Sequence, residues 1–409
     1  SRWTVVCREQ GSEVIDAETL DHDFDEELEG FGEPAQGTEQ QPVPALQRVG
    51  AALIALGLLA FVLAFAGGTE TLAWLGGWGA LLATFGLTSL GAVLYWWAQF
   101  KDTNPGIKHD GTFFRSAQNR GLLGWMLGIG ITGFYVVLYF YDELQGYGMP
   151  SLLERPIRLL DPLALPLTGY EASRWFLYGV LYTLAIGVFG VRMLMKYRHS
   201  RYHQLRTLSV MGAQFLLAWL LPNLLVLLKQ PYMEFNGVWP LKNNYLWPEK
   251  VTEFTGAGLF GWALLGIAGG LVVATPVLTY FFGKRWYCSW VCGCGGLAET
   301  LGDPFRQLSD KSTRAWKIER WMIHSVLVFV LVSTVALWID YRSSGNAYGS
   351  WSQPLRNSYG FLIGSIFSGV VGTGFYPLLG SRAWCRFGCP QAAILGLWQR
   401  LFSRFRITT

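Results

Sequence analysis

Residues 255–283 read Thr255-Gly-Ala-Gly-Leu-Phe-Gly-Trp-Ala-Leu-Leu-Gly-Ile-Ala-Gly-Gly-Leu-Val-Val-Ala-Thr-Pro-Val-Leu-Thr-Tyr-Phe-Phe-Gly283, without a single charged side chain. About 20 apolar residues carry a helix across the hydrocarbon layer of a bilayer. This stretch therefore decides the class of the chain. Seven more runs of the same kind lie at roughly 46–67, 72–98, 121–141, 174–195, 207–228, 318–340 and 359–380. Together they predict an all-α, polytopic membrane protein of about eight transmembrane helices. The first run begins too far from the N-terminus, and lacks the basic flank and cleavage site, to read as a removable signal peptide.

Composition agrees. Of 409 residues, 51% are hydrophobic and 15% aromatic, and only 15% are charged, where soluble domains carry about 25%. The mean hydropathy is +0.28. Such values exclude a disordered chain and a disulfide-stapled mini-protein, and argue against an ordinary soluble enzyme. Charge divides the chain: residues 1–45 hold 12 acidic and 2 basic side chains, and the remainder holds 16 and 30. An acidic N-terminal tail over 1–45, disordered by composition, thus precedes a basic membrane body. Five spans fill 46–254, the last three spans and their motifs 255–389, and a basic, amphipathic segment 390–409.

The basic residues fall in alternate loops. Loop 99–120 carries Lys101, Lys108, Arg115 and Arg120, and loop 192–206 carries Arg192, Lys196, Arg198, Arg201 and Arg206. Loop 284–317 and the C-terminal segment continue the series, whereas 142–173, 229–254 and 341–358 are close to charge-balanced. The positive-inside rule then places the basic loops and both termini in the cytoplasm. Basic charge of this kind needs no nucleic acid to explain it. No Asp, Glu, Lys or Arg lies deep in a span, which argues against an ion pump. Asn223, Thr275 and His324 read as helix-packing residues, and Pro222 and Pro276 as kinks. Trp and Tyr residues over 239–247 and 348–359 suit an outer aromatic belt. Ile394, Leu397, Trp398, Leu401, Phe402 and Phe405 suit a lipid-facing stripe on the C-terminal segment.

The chemistry lies in cysteine. Cys7 stands alone in the acidic tail. The other five occupy Gly283-Lys-Arg-Trp-Tyr-Cys288-Ser-Trp-Val-Cys292-Gly-Cys294 and Gly380-Ser-Arg-Ala-Trp-Cys385-Arg-Phe-Gly-Cys389-Pro390. Both read Gly-x-Arg-x-x-Cys-x-x-x-Cys with an aromatic before the first Cys, and both follow a span running inward. This is a parallel internal repeat. It predicts two Cys pairs at one depth on the cytoplasmic face, where thiols stay reduced. Cys288, Cys292, Cys385 and Cys389 supply four thiolates to one metal centre, and Cys294 reads as a packed small residue. Four sulfurs accept zinc or an iron–sulfur cluster, and spacing does not separate them. Location favours a redox centre, of 4Fe–4S type before 2Fe–2S, because a redox centre beside lipid can meet a quinone. Lys284, Arg285, Arg382 and Arg386 flank the pairs, where their charge lowers thiol pKa values and offsets a cluster's charge; positive-inside topology explains them equally well. Tyr280, Trp286, Tyr287, Trp321 and His324 lie at a depth suited to a quinone slot, though interfacial anchoring accounts for such aromatics too. The five histidines do not provide a facing pair within spans, so bis-His haem is disfavoured. His199 and His203 read as members of a solvated basic loop.

Cys288-x-Trp290-x-Cys292-x-x-Gly295-x-Leu297-x-Glu299 and Trp384-Cys385-Arg-Phe-Gly-Cys389-Pro390 resemble membrane iron–sulfur proteins of the NapH/NosR/CcoG type. These are the quinol-oxidising subunit of periplasmic nitrate reductase, a nitrous oxide reductase maturation protein and a cytochrome oxidase assembly factor. The resemblance covers about residues 255–405 and implies the inner membrane of a prokaryote. It implies one-electron transfer between membrane quinone and a redox subunit or ferredoxin-type protein, with the family's Cys pairs falling on Cys288, Cys292, Cys385 and Cys389. It equally admits a metalloenzyme assembly factor; a structural metal-binding scaffold is the third alternative. Gly293 replaces the Pro expected after the first pair. The family's ferredoxin module, Cys-x-x-Cys-x-x-Cys-x-x-x-Cys-Pro, is not in this sequence, so its clusters are expected on another subunit or in a longer chain.

Overall fold

The computed structural model describes residues 45–67, 72, 74–101, 121–146, 154–344 and 351–404. The acidic tail with Cys7, the loop residues Lys108, Arg115 and Arg120, Tyr348 of the belt, and Phe405 lie outside them. Among the described residues the chain is helical, without strands, and seven helices are long and apolar enough to cross a membrane. These are α1 (Ala45–Gly67), α2 (Gly76–Phe100), α3 (Leu122–Tyr139), α4 (Arg174–Lys196), α5 (Arg201–Leu227), α6 (Gly258–Phe282) and, further on, α9 (Thr313–Ser344). The eighth predicted span is also helical. Gln353–Ser358 continues into Tyr359–Gly374, wound as a π-helix, and the pair is treated as α10. The sequence expectation of an all-α polytopic protein holds.

Contacts at the helix ends follow the alternation of charge. At the basic end Arg198 donates to the Phe100 carbonyl oxygen at 2.7 Å. At the opposite end Arg174 pairs with Asp142 at 2.5 Å, Arg356 with Glu249 at 2.7 Å, and Trp338 Nε1 donates to the Leu246 carbonyl at 2.7 Å.

The two cysteine motifs form matching hairpins. After α6 come α7 (Arg285–Trp290) and α8 (Gly293–Glu299); after α10 come α11 (Ala383–Phe387) and α12 (Pro390–Phe402). Each hairpin opens on a glycine, Gly283 (φ 71°, ψ 174°) or Gly380 (φ 87°, ψ 163°), in a region that side chains with a Cβ essentially never enter. Val291 and Cys292 both donate their backbone N–H to the Tyr287 carbonyl, at 3.0 and 2.9 Å. Gly388 and Cys389 repeat this on Trp384, at 3.0 Å each. Cys292 (φ −69°, ψ 125°) and Cys389 (φ −82°, ψ 111°) are both extended residues that start the next helix. The sequence repeat is a structural repeat.

The hairpins reach further than the sequence predicts. A Cβ on Gly296 would touch Val210 and Ile186, and one on Gly293 would stand 2.6 Å from Gln214 Oε1. Ile186 and Gln214 are midway along α4 and α5. Leu271 and Val272, midway along α6, pack into the cluster of Val238, Tyr287, Cys292 and Leu395. The Cys pairs thus stand at mid-span, not at the inner rim, because each hairpin turns back between the helices. Segment 229–247 descends from the opposite face to meet the first one: Phe235 donates its N–H to the Leu217 carbonyl at 2.9 Å, and Tyr287 Oη donates to the Asn236 carbonyl at 2.7 Å.

The C-terminal segment is corrected in the same way. Helix α12 packs between α6 and α9, burying Pro390, Gln391, Ala393 and Leu395. At its end Ser403 Oγ donates to the Thr279 carbonyl at 3.0 Å and the Arg404 N–H to that of Tyr280 at 3.1 Å. Thirteen residues rise about 20 Å, so α12 runs from mid-span to the basic end. An apolar stripe with a 3.6-residue period fits a helix on a bilayer surface and one held against neighbours equally.

Candidate functional site

Cys292 and Cys389 are buried, and Cys288 and Cys385 are half-buried; all four are free thiols. The Cys288 thiol faces Cys294 electrostatically, Cys385 faces Cys288, and Cys389 faces both Cys385 and Cys288. The two pairs therefore share one electrostatic neighbourhood. Among the described residues no three His, Cys, Asp or Glu side chains are grouped closely enough to hold a single metal ion.

Arg382, Arg285 and Lys284 direct positive charge at the Cys288 thiol. At the start of α12 the Ala392 N–H donates to the Cys389 carbonyl oxygen at 3.1 Å. Cys294 packs in one apolar cluster with Cys292, Tyr287 and Leu395.

The flanking cations behave differently from one another. Arg382 forms an ion pair with Glu299 of the first hairpin and faces the Cys288 and Cys385 thiols. Lys284 and Arg285 are exposed and act on Cys288. Arg386 turns away, to Glu319 at 2.9 Å and the Asp310 carbonyl at 2.6 Å. Glu299 also pairs with Arg206 of α5, so one carboxylate ties α5, the first hairpin and the second together. Gly295 lets α8 approach closely, since a Cβ there would collide with the Cys288 carbonyl oxygen.

Nearer the basic end, Asp303 is fully buried and accepts from Lys196 Nζ at 2.7 Å and Arg192 Nη1 at 3.0 Å. Burial pushes its carboxyl up, yet Lys196 and Arg192 outweigh it and hold the group below its ordinary value. This cluster anchors the segment after the first hairpin to α4.

The aromatic residues expected at a quinone slot do not gather in one place. Tyr287 is held in the core by Asn236, and Trp286 Nε1 donates to Thr279 Oγ1 at 3.2 Å. Tyr280 on α6 and Trp321 on α9 face outward, with α12 between those helices. His324 Nδ1 lies 2.6 Å from the Arg320 carbonyl oxygen. His203 Nδ1 lies 2.9 Å from Ser200 Oγ, and its ring stacks on Tyr197. Sequence reasoning names Glu299 only as a motif residue and Arg206 only as a loop cation, and misses Gln391 and Asn236. Glu299 is signalled by its place eleven residues after Cys288; nothing local signals the others.

Comparison with known proteins adds one result. The model of a 4Fe-4S binding domain matches the chain twice, over residues 265–312 and 360–408, each match taking in one hairpin and most of the helix before it. No curated protein and no solved structure matches the chain. The double match, falling on the two structurally equivalent hairpins, supports an iron–sulfur protein carried on a frame of apolar helices.

Proposed function

We propose that this protein is a membrane electron-transfer component. In this reading Cys288, Cys292, Cys385 and Cys389 hold one 4Fe–4S cluster, and electrons pass between membrane quinone and a redox partner at the basic, cytoplasmic face of a prokaryotic inner membrane. The observation that carries the reading is the convergence of two equivalent thiol hairpins, each covered by a match to a 4Fe-4S binding domain.

The residues fit such a group. A zinc ion draws its sulfur ligands to about 2.3 Å from one point. A cubane cluster offers a separate iron to each thiolate, which suits thiols that share a neighbourhood without crowding together. Ser381 Oγ, Trp384 Nε1 and the Gln391 amide are buried around the second hairpin with no hydrogen-bond partner among the described residues. Unpaired buried polar groups are costly, and cluster sulfurs accept hydrogen bonds.

When bound, the cluster supplies reversible one-electron chemistry. The chain's own residues supply the rest. Gly283 and Gly380 turn the hairpins back between the spans, Arg382 sets positive charge beside the thiols, and segment 229–247 excludes water from the far side. Lipid access along the outward-facing surface of α6 and α9 supports a quinone as one redox partner.

Anaerobic purification with iron and acid-labile sulfide analysis, followed by low-temperature EPR, tests the reading. Four irons and a reducible signal, lost in Cys385→Ser, are expected; stoichiometric zinc or no metal overturns it.

A further inference from the structure

The internal repeat sets every residue of the second hairpin 97 positions after its counterpart, so Gln391 corresponds to Cys294. Cys294 packs beside the second thiol of its own hairpin, Cys292. Gln391 occupies the matching place two residues after Cys389, in the first turn of α12. It is fully buried, and neither its Nε2 nor its Oε1 has a partner among the described residues. Its direction follows from helix periodicity. Leu395 and Trp398, four and seven residues on, pack against the first hairpin with Cys292 and Tyr287. Positions i, i+4 and i+7 share one face of a helix. Gln391 therefore lies on the face of α12 turned toward the first Cys pair while its own backbone adjoins the second.

A carboxamide in that position, at mid-span, is expensive unless something accepts its N–H groups. An aliphatic side chain would fill the space without that cost.

We propose that the Gln391 carboxamide donates a hydrogen bond to a sulfur of the centre held by the two Cys pairs, raising its reduction potential. This rests on the cluster reading above. Reduction adds negative charge to the sulfurs, so a donor aimed at them favours the reduced form. Gln391 is a tuning residue and not a ligand, which separates it from the four cysteines.

The test uses the full chain, purified anaerobically, as wild type, Gln391→Leu and Gln391→Met. Iron and sulfide content is measured first. Their absence from the wild type overturns the cluster reading itself, before any variant is compared. With the cluster present, both variants are expected to keep their iron. At fixed ambient potential their ratio of oxidised to reduced centre should rise about tenfold, equivalent to about 59 mV for one electron. Pulsed EPR in deuterated buffer should show one exchangeable hydrogen coupling fewer than in the wild type. A purely structural residue would move neither reading. Unchanged potentials with unchanged couplings, or loss of iron from both variants, overturn the proposal.

Discussion

Glu299, at the end of the first cysteine hairpin, forms an ion pair with Arg382, at the start of the second, and the same carboxylate pairs with Arg206 of α5. All three side chains are largely shielded. Glu299→Ala should therefore cost more than a surface pair, about 2 kcal/mol, and loosen the two hairpins together. Thermal unfolding in detergent measures the first effect and retained iron the second. In a double-mutant cycle, Arg382→Ala should cost much less once Glu299 is already Ala; additive losses would show that the pair does not couple the hairpins.

Asp303 forms ion pairs with both Arg192 and Lys196 where α4 meets the basic face. Asp303→Asn removes the buried carboxylate that Arg192 and Lys196 share and should destabilise the protein by about 3–5 kcal/mol. Its carboxyl is held below the ordinary value of 3.8. The stabilisation is therefore complete above pH 3.8 and is lost as pH falls below that value toward the folded-state pKa. A melting series across neutral and acidic pH should show the wild type converging on Asp303→Asn only at the acid end. Convergence near neutrality would contradict the assignment.

Gly380 occupies backbone space closed to other residues, and a Cβ there would also press on Ser309. Gly380→Ala should cost about 1–3 kcal/mol and reduce iron retention by displacing Cys385. Gly283→Ala should act alike on the first hairpin. Full stability in either variant would mean that the hairpins do not need their glycine turns.

Cys294 and the four paired cysteines should separate cleanly on substitution. Cys294→Ser is expected to keep its iron, whereas serine at Cys288, Cys292, Cys385 or Cys389 should remove most of the EPR signal. Loss of the centre in Cys294→Ser would make it a ligand and unseat one of the four.

The spans were legible because hydropathy is a local property, and each run in the sequence carries enough apolar surface to declare itself. The hairpin repeat was legible from spacing alone, down to the paired glycines. Depth was not. Residues 285–299 and 390–402 carry too little apolar length to span, and the same pattern describes a surface helix. Their descent depends on what they meet, namely Val210 and Ile186, Leu271, and segment 229–247 arriving from the other side. The role of Glu299 is hidden for the same reason. Its two partners lie 93 residues before it and 83 after it, and no periodicity links positions so far apart.

The mid-span position of the thiols makes any charge stored there sensitive to voltage. Moving one elementary charge across the whole bilayer against 100 mV takes about 2.3 kcal/mol, so halfway takes about 1 kcal/mol. A unit charge placed at the depth of Cys292 and Cys389 would sample about half of the transmembrane field. The fraction of centres reduced would then follow the energised state of the membrane as well as the chemistry of the donor.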